Sequence, residues 1–191
     1  MCEWRSTGCT GSGATTPGSC CITNGSGNCV ANADCCGGQC TANTCCTLTT
    51  IGFDDLSGAG VPIPNGYNNL NWTLVNSYNG VNAPVNEQGY VTGIVSQPNE
   101  AYNAAGGTAT ILSATPFNVI SVYATAASSF DIAEVKFRSN NNDTTTVVIG
   151  AVPTFIDFGN DLIGITSLTF VGNNAAGNTV AVVLDDLTVC I

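Results

Sequence analysis

Ten of the chain's eleven cysteines lie before residue 47, and the last is Cys190. No other feature restricts the fold as sharply. The front segment of about 46 residues is too short and too poor in large apolar side chains to fold on a packed core. Covalent bridges are the alternative. The remaining stretch, about 145 residues, can bury a core of its own. The sequence therefore predicts a disulfide-rich module over 1–46 and a larger domain over 47–191. Zinc is the competing use for such cysteines. The adjacent pairs Cys20-Cys21, Cys35-Cys36 and Cys45-Cys46 do not match the two-by-two spacing of zinc knuckles, and the chain has no histidine. Disulfides place the protein in an oxidising compartment, so the expected location is secreted, extracellular or at a cell surface.

Charge narrows the partners. Arg5, Lys136 and Arg138 stand against 13 carboxylates, for a net charge of -10. Such a chain repels phosphate backbones and anionic membrane surfaces, so nucleic acid is excluded as a partner. No apolar run is long enough to cross a bilayer, and no membrane insertion is expected. The opening residues "MCEWRSTGCT" lack the basic start and apolar stretch of a signal peptide, which suggests a form with its leader removed. Sequons at Asn24, Asn71 and Asn142 would accept N-glycans in a eukaryotic secretory route, making a glycoprotein.

From Thr47 onward, short segments rich in Thr, Val and Ile alternate with clusters of Gly, Asn, Pro and Ser. "NWTLVN", "YVTGIVS", "GTATILS", "NVISVYAT", "TTTVVIG" and "GITSLTFV" all read as strands. In "IAEVKF", Ala133, Val135 and Phe137 alternate with Glu134 and Lys136, a strand with one wet face. A 3.6-residue apolar period never lasts three turns, and only "NEAYNAAGG" suggests one helical turn. About ten strands with frequent turn signals predict an all-β fold: a two-sheet antiparallel sandwich of jelly-roll type.

The absence of histidine removes Ser-His-Asp and Cys-His catalysis and any histidine-ligated metal centre. The carboxylates show no catalytic setting, so no catalytic residues are assigned and no enzyme is expected. Two aspartate pairs stand out, Asp54-Asp55 and Asp185-Asp186. Alternation in "VVLDDLTV" puts a carboxylate on whichever face is buried. An unpaired buried carboxylate is costly, and a hard cation such as calcium would resolve that conflict. The plainer reading leaves these aspartates at strand ends, facing water. Four aromatic residues, Tyr67, Trp72, Tyr78 and Tyr90, fall amid Asn and Gly and are candidates for stacking on sugar CH faces. For Trp72 a core or sheet-edge role is the preferred reading. Tyr67 and Tyr78 are the better candidates for exposure.

Two resemblances add to this. From Cys21 the spacing C-x7-C-x5-CC-x3-C-x4-C resembles the inhibitor cystine knot, or knottin, framework. The resemblance implies Cys21–Cys36, Cys29–Cys40 and Cys35–Cys45; spacing alone permits many other connectivities. The knot's loops carry no basic or aromatic residues, which argues against channel blocking and trypsin inhibition. Outside the knot, Cys46 and Cys190 would form a natural bridge if the first and last strands of the large domain are neighbours. Cys2, Cys9 and Cys20 remain, and one of them is either free or linked to a second chain. In the large domain, "TIGFDDL", "PIPNGYNNLNW", "SATPFNVISVYAT" and "VVLDDLTV" occur in that order. The set resembles secreted β-sandwich domains of fungal and bacterial surface proteins and, at its ends, jelly-roll carbohydrate-binding modules. The second resemblance implies one structural calcium near the terminal strands, where Asp54, Asp55, Asp185 and Asp186 match the placement.

Two functions are expected. The first is a secreted, non-catalytic module that binds a neutral polysaccharide or glycan, or associates with a cell wall. The second is an adhesive surface protein that forms homo-oligomers or extracellular filaments through strand edges or an interchain disulfide.

Overall fold

The computed structural model describes Cys29 and residues 38–41, 44–83, 88–128 and 132–191. The chain divides into two compact units, Met1–Thr49 with Cys190–Ile191, and Thr50–Val189.

In the first unit, strands β1 (Gly38–Thr41) and β2 (Thr44–Ile51, which runs on into the second unit) form an antiparallel hairpin that sets Cys40 opposite Cys45. Cys29 is bonded to Cys40, and Cys46 to Cys190. Cys45 is also disulfide-bonded. Thr47 and Ile191 exchange two main-chain hydrogen bonds, each 3.2 Å, beside the second bridge. Cys21, Cys35, Cys36, Cys2, Cys9 and Cys20 lie outside the described residues, as does Asn24.

The second unit is an antiparallel all-β sandwich. Its strands are β3 (Ala59–Pro62), β4 (Asn71–Thr73), β5 (Val75–Asn79), β6 (Asn99–Asn103), β7 (Ala109–Ala126), β8 (Ala133–Ser139), β9 (Thr144–Ile149), β10 (Thr154–Asp157), β11 (Ile165–Asn174), β12 (Thr179–Val180) and β13 (Val182–Cys190, whose last residue belongs to the first unit). Strand β7 joins the two layers. Its first half pairs with β11 on one side and β4 on the other. Its second half pairs with β10, and β13 is its neighbour in the other layer. Between the halves the register against β11 slips, with Ile165 facing Phe117 but Ser167 facing Leu112. The residues that bulge out include Pro116, which has no N–H to give a ladder. One layer thus runs β3-β5-β6-β13-β7-β10 and the other β4-β7-β11-β8-β9.

The core forms from alternation. In β8, Ala133, Val135 and Phe137 are buried while Glu134, Lys136 and Arg138 are exposed. Phe137 meets Phe158 edge-on at 5.1 Å and stacks on Phe170 at 6.2 Å. Such ring contacts add about 0.5–1.5 kcal/mol each beyond area burial.

Three local expectations are corrected. "YVTGIVS" is not a strand: the short helix α1 (Gln88–Thr92) and the bends after it occupy that stretch. In "NEAYNAAGG" the first five residues are strand β6, and the helical turn is a 3₁₀ turn at Ala104–Gly106. "GTATILS" and "NVISVYAT" are one continuous strand, β7.

Candidate functional site

The layer that contains β5, β6 and β13 carries the informative side chains. Register places Asn76 opposite Tyr102 and Tyr78 opposite Glu100, and Tyr102 opposite Val183 of β13. One face therefore shows Asn76, Tyr78, Glu100, Tyr102 and Val183. Helix α1 lies over part of that face. The Gly89 N–H donates to Ala127 O at 3.0 Å. A Cβ on Gly93 would touch Val183 and Thr125.

Tyr90 of α1 completes a cluster of three rings. Its centroid is 5.1 Å from Tyr78 and 5.3 Å from Tyr102, and Tyr78 and Tyr102 are 6.2 Å apart, all edge-on. Tyr90 is buried; Tyr78 and Tyr102 are half-buried. The Asn76 amide donates to Gly60 O at 3.0 Å and to the Tyr102 hydroxyl at 3.3 Å. Two tyrosine rings and an amide thus sit together on one face of the layer, on the inner strands β5 and β6.

The other candidate aromatics form a separate cluster with Phe53. Trp72 is buried, 5.7 Å from Phe53, and its Nε1–H donates to Tyr67 O at 3.1 Å. That is the core role preferred for it. Tyr67 is half-buried and donates its hydroxyl to Asp55 Oδ1 at 2.6 Å. Burial and the Asp55 carboxylate raise the Tyr67 hydroxyl well above its ordinary range. Tyr102, a member of the tyrosine cluster, is not marked by the sequence pattern, because "NEAYNAAGG" suggests a helical turn rather than strand β6.

The carboxylates are placed as follows. Asp185 is fully buried on β13. Its Oδ2 accepts the N–H groups of Val95 (2.7 Å) and Ser96 (2.9 Å). Its Oδ1 accepts the N–H of Asp186 (2.8 Å) and the Ser96 hydroxyl (3.2 Å). Burial lifts the Asp185 carboxyl to about 6 against the pull of those backbone donors. Asp54 Oδ1 accepts the Asn99 N–H at 3.0 Å. Asp54 Oδ2 and Asp186 Oδ1 both lie beside Gly52, near the Ser96 hydroxyl. Asp55 is exposed and engaged by Tyr67. Among the described residues no group of three or more His, Cys, Asp or Glu side chains is arranged to hold a metal. Asn71 and Asn142 are exposed, and Asn142 Oδ1 accepts from Arg138 Nη2 at 2.9 Å.

Glu100 was not foreseen. It is fully buried, and neither carboxylate oxygen has a hydrogen-bond partner. Burial first, and the Asp185 carboxylate second, push its carboxyl up to about 9.

No protein-family model and no curated protein sequence matches this chain. Solved structures do. The K2 cleaved adhesin domain of Lys-gingipain is 15% identical, with a TM-score of 0.44, over 75% of this chain and 98% of that one. The arabinose-bound MgGH51 α-L-arabinofuranosidase is 12% identical, with a TM-score of 0.41, over 84% of this chain and 28% of that one. The CBM22-1–GH10 modules of Clostridium thermocellum xylanase 10B with xylohexaose are 12% identical, with a TM-score of 0.28, over 50% of this chain and 22% of that one. The chain spans under a third of the length of the latter two.

Elsewhere, an open groove of about 630 Å³ is lined by Ile132, Glu134, Lys136, Val148, Asn173 and Asn174. It contains no aromatic ring. Among the described residues, no helix is long and apolar enough to cross a membrane.

Proposed function

We propose that the protein is a secreted, non-catalytic module that binds neutral glycan at the Tyr78–Tyr102 patch on the β5–β6 face of its sandwich. One observation carries the reading. Two half-buried tyrosines stand on adjacent strands beside a buried third, and the Asn76 amide donates to the Tyr102 hydroxyl and the Gly60 carbonyl. Ring faces and edges suit the CH surfaces of sugars, and an amide suits their hydroxyls. The chain's scarcity of charge favours a neutral ligand. Disulfides fit an extracellular setting. The expected calcium belongs to the same proposal, narrowed to Asp54 and Asp186, each of which places a carboxylate oxygen beside Gly52. The test is depletion of the protein from solution by insoluble chitin, β-glucan and cellulose. Retention on at least one is expected; recovery of all protein in the supernatant across the panel contradicts the reading.

Adhesion by self-association is the second reading. Strand β9 ends its layer among the described residues and exposes Val148, with Ile132 beside it in the open groove. An open strand edge flanked by apolar side chains is a template for a second chain.

A further inference from the structure

Glu100 is 0% exposed, and both of its carboxyl oxygens lack a hydrogen-bond donor. The titratable and charged groups around it offer no compensation. Tyr78 faces it from β5, and Tyr102 shares its face of β6. Strand β13 presents Val183, opposite Tyr102, and then Asp185, two residues further along the same face. Asp186 follows Asp185, and Tyr90 comes from α1. The turn at Gly80–Asn82 and the stretch 93–96 carry no charged side chain. The described cations, Lys136 and Arg138, stand on β8 in the other layer. A carboxyl in such a place keeps its proton, because the ion would be buried with nothing to offset it. Burial, and after it the Asp185 carboxylate, pushes the group up to about 9.

The cover over this face is a single run of chain, residues 89–96. It comprises most of α1 and the bends after it, and it belongs to no strand. The Tyr90 ring packs edge-on against Tyr78 and Tyr102, the two tyrosines that flank Glu100. Gly93 lies against Val183 and Thr125. The N–H groups of Val95 and Ser96 donate to Asp185 Oδ2. Gly80 is packed on both Glu100 and this run: a Cβ there would meet Glu100 Oε1 at 2.7 Å and Ile94 Cδ1 at 2.8 Å. The run is tied to the sheets by single hydrogen bonds rather than by a ladder. Besides the two to Asp185, the Gly89 N–H donates to Ala127 O and the Thr92 hydroxyl to Ala151 O. It can therefore lift while every strand stays paired.

We propose that residues 89–96 are a lid that opens at alkaline pH: once Glu100 gives up its proton, its carboxylate reaches water only if the run lifts off the sheet, and Tyr90 leaves the tyrosine cluster with it. The sign follows from the two states. With the lid open, Glu100 meets water and ionises in the ordinary carboxylate range. With the lid closed, it stays protonated. Between that range and about pH 9, opening releases a proton, so each unit of pH favours the open state about tenfold. The lid stands whether or not the tyrosine patch binds glycan. On the glycan reading, the patch loses its third ring as pH rises.

The experiment is amide hydrogen exchange of the full chain in chelator, with each rate corrected for the intrinsic effect of pH. The reporters are the N–H groups of Gly89, Gly93, Val95 and Ser96, each of which donates in the closed lid. In the wild type their protection should fall by about 100-fold between about pH 6.5 and pH 8.5. At each pH it should lie below that of the β8 and β11 amides and be insensitive to low urea, the mark of a local opening. Glu100→Gln, which imitates the protonated acid, should keep the lid but lose the pH dependence. The wild-type readouts decide the matter if that variant does not fold. Protection that does not change with pH would overturn the proposal. So would reporters that exchange only as slowly, and with the same urea dependence, as β8 and β11, or an equal fall in a folded Glu100→Gln variant.

Discussion

At the scale of single residues, two buried carboxylates meet opposite fates. Asp185 keeps company with three backbone N–H groups and a hydroxyl, while Glu100 has none. Alternation in "VVLDDLTV" made a buried carboxylate legible in the sequence, because β13 is buried on both faces. Glu100 was not legible. Its burial comes from α1 and the turn at Gly80, which cover it from outside its own strand. The pair also sets a pH dependence for the metal-free protein. Folding raises the Glu100 carboxyl to about 9 and the Asp185 carboxyl to about 6, chiefly by burial. As pH rises from the ordinary carboxylate range, the unfolded chain sheds protons that the folded chain keeps, so stability falls. Asp185 contributes to that fall up to about pH 6 and Glu100 up to about pH 9. In chelator, the melting midpoint is expected to drop by more than about 5 °C between pH 5 and pH 8.5. Glu100→Gln should remove the part of the slope above about pH 6. Circular-dichroism melts across that range check it, and a midpoint that holds or rises would speak against a buried, proton-bearing Glu100.

At the scale of elements, strands with one wet face were readable and elements shaped by docking were not. Strand β8 follows its alternation residue for residue. Strand β7 could not be read as one strand, since Pro116 and its polar neighbours look like a turn and only the bulge against β11 accommodates them. Helix α1 is five residues long, too short for a helical apolar period, and its sequence "QGYVT" favours strand as readily. What fixes it is close approach to β7. A Cβ on Gly89 would lie 1.8 Å from Ala126 O, so any larger residue must lift the helix or move the strand. Gly89→Ala is therefore expected to destabilise the protein by about 2 kcal/mol or more, measured by urea unfolding. A variant as stable as the wild type would mean that α1 is not seated on β7.

At the scale of the whole molecule, the cysteine distribution predicts a bridged front and the Thr, Val and Ile pattern a β-rich body, with a Cys46–Cys190 bridge if the first and last strands are neighbours. Strand β2 does pair with β13, and Cys46 is bonded to Cys190. A bridge that closes a 144-residue separation contributes about 2–5 kcal/mol, chiefly by restricting the unfolded chain. The candidate site was half legible: Tyr78 and the amide-rich setting were visible, but the cross-strand partner Tyr102 depends on register that a single sequence does not display. The central claim is that this tyrosine patch is a glycan-binding surface. It is tested most directly by nuclear magnetic resonance titration of the full chain with chitohexaose, laminarihexaose and cellohexaose. At least one sugar should shift the ring signals of Tyr78 and Tyr102 and the Asn76 amide, and the Tyr78→Ala/Tyr102→Ala variant, still folded, should not respond. Silence of those signals toward all three sugars, or equal binding by the double variant, would contradict it.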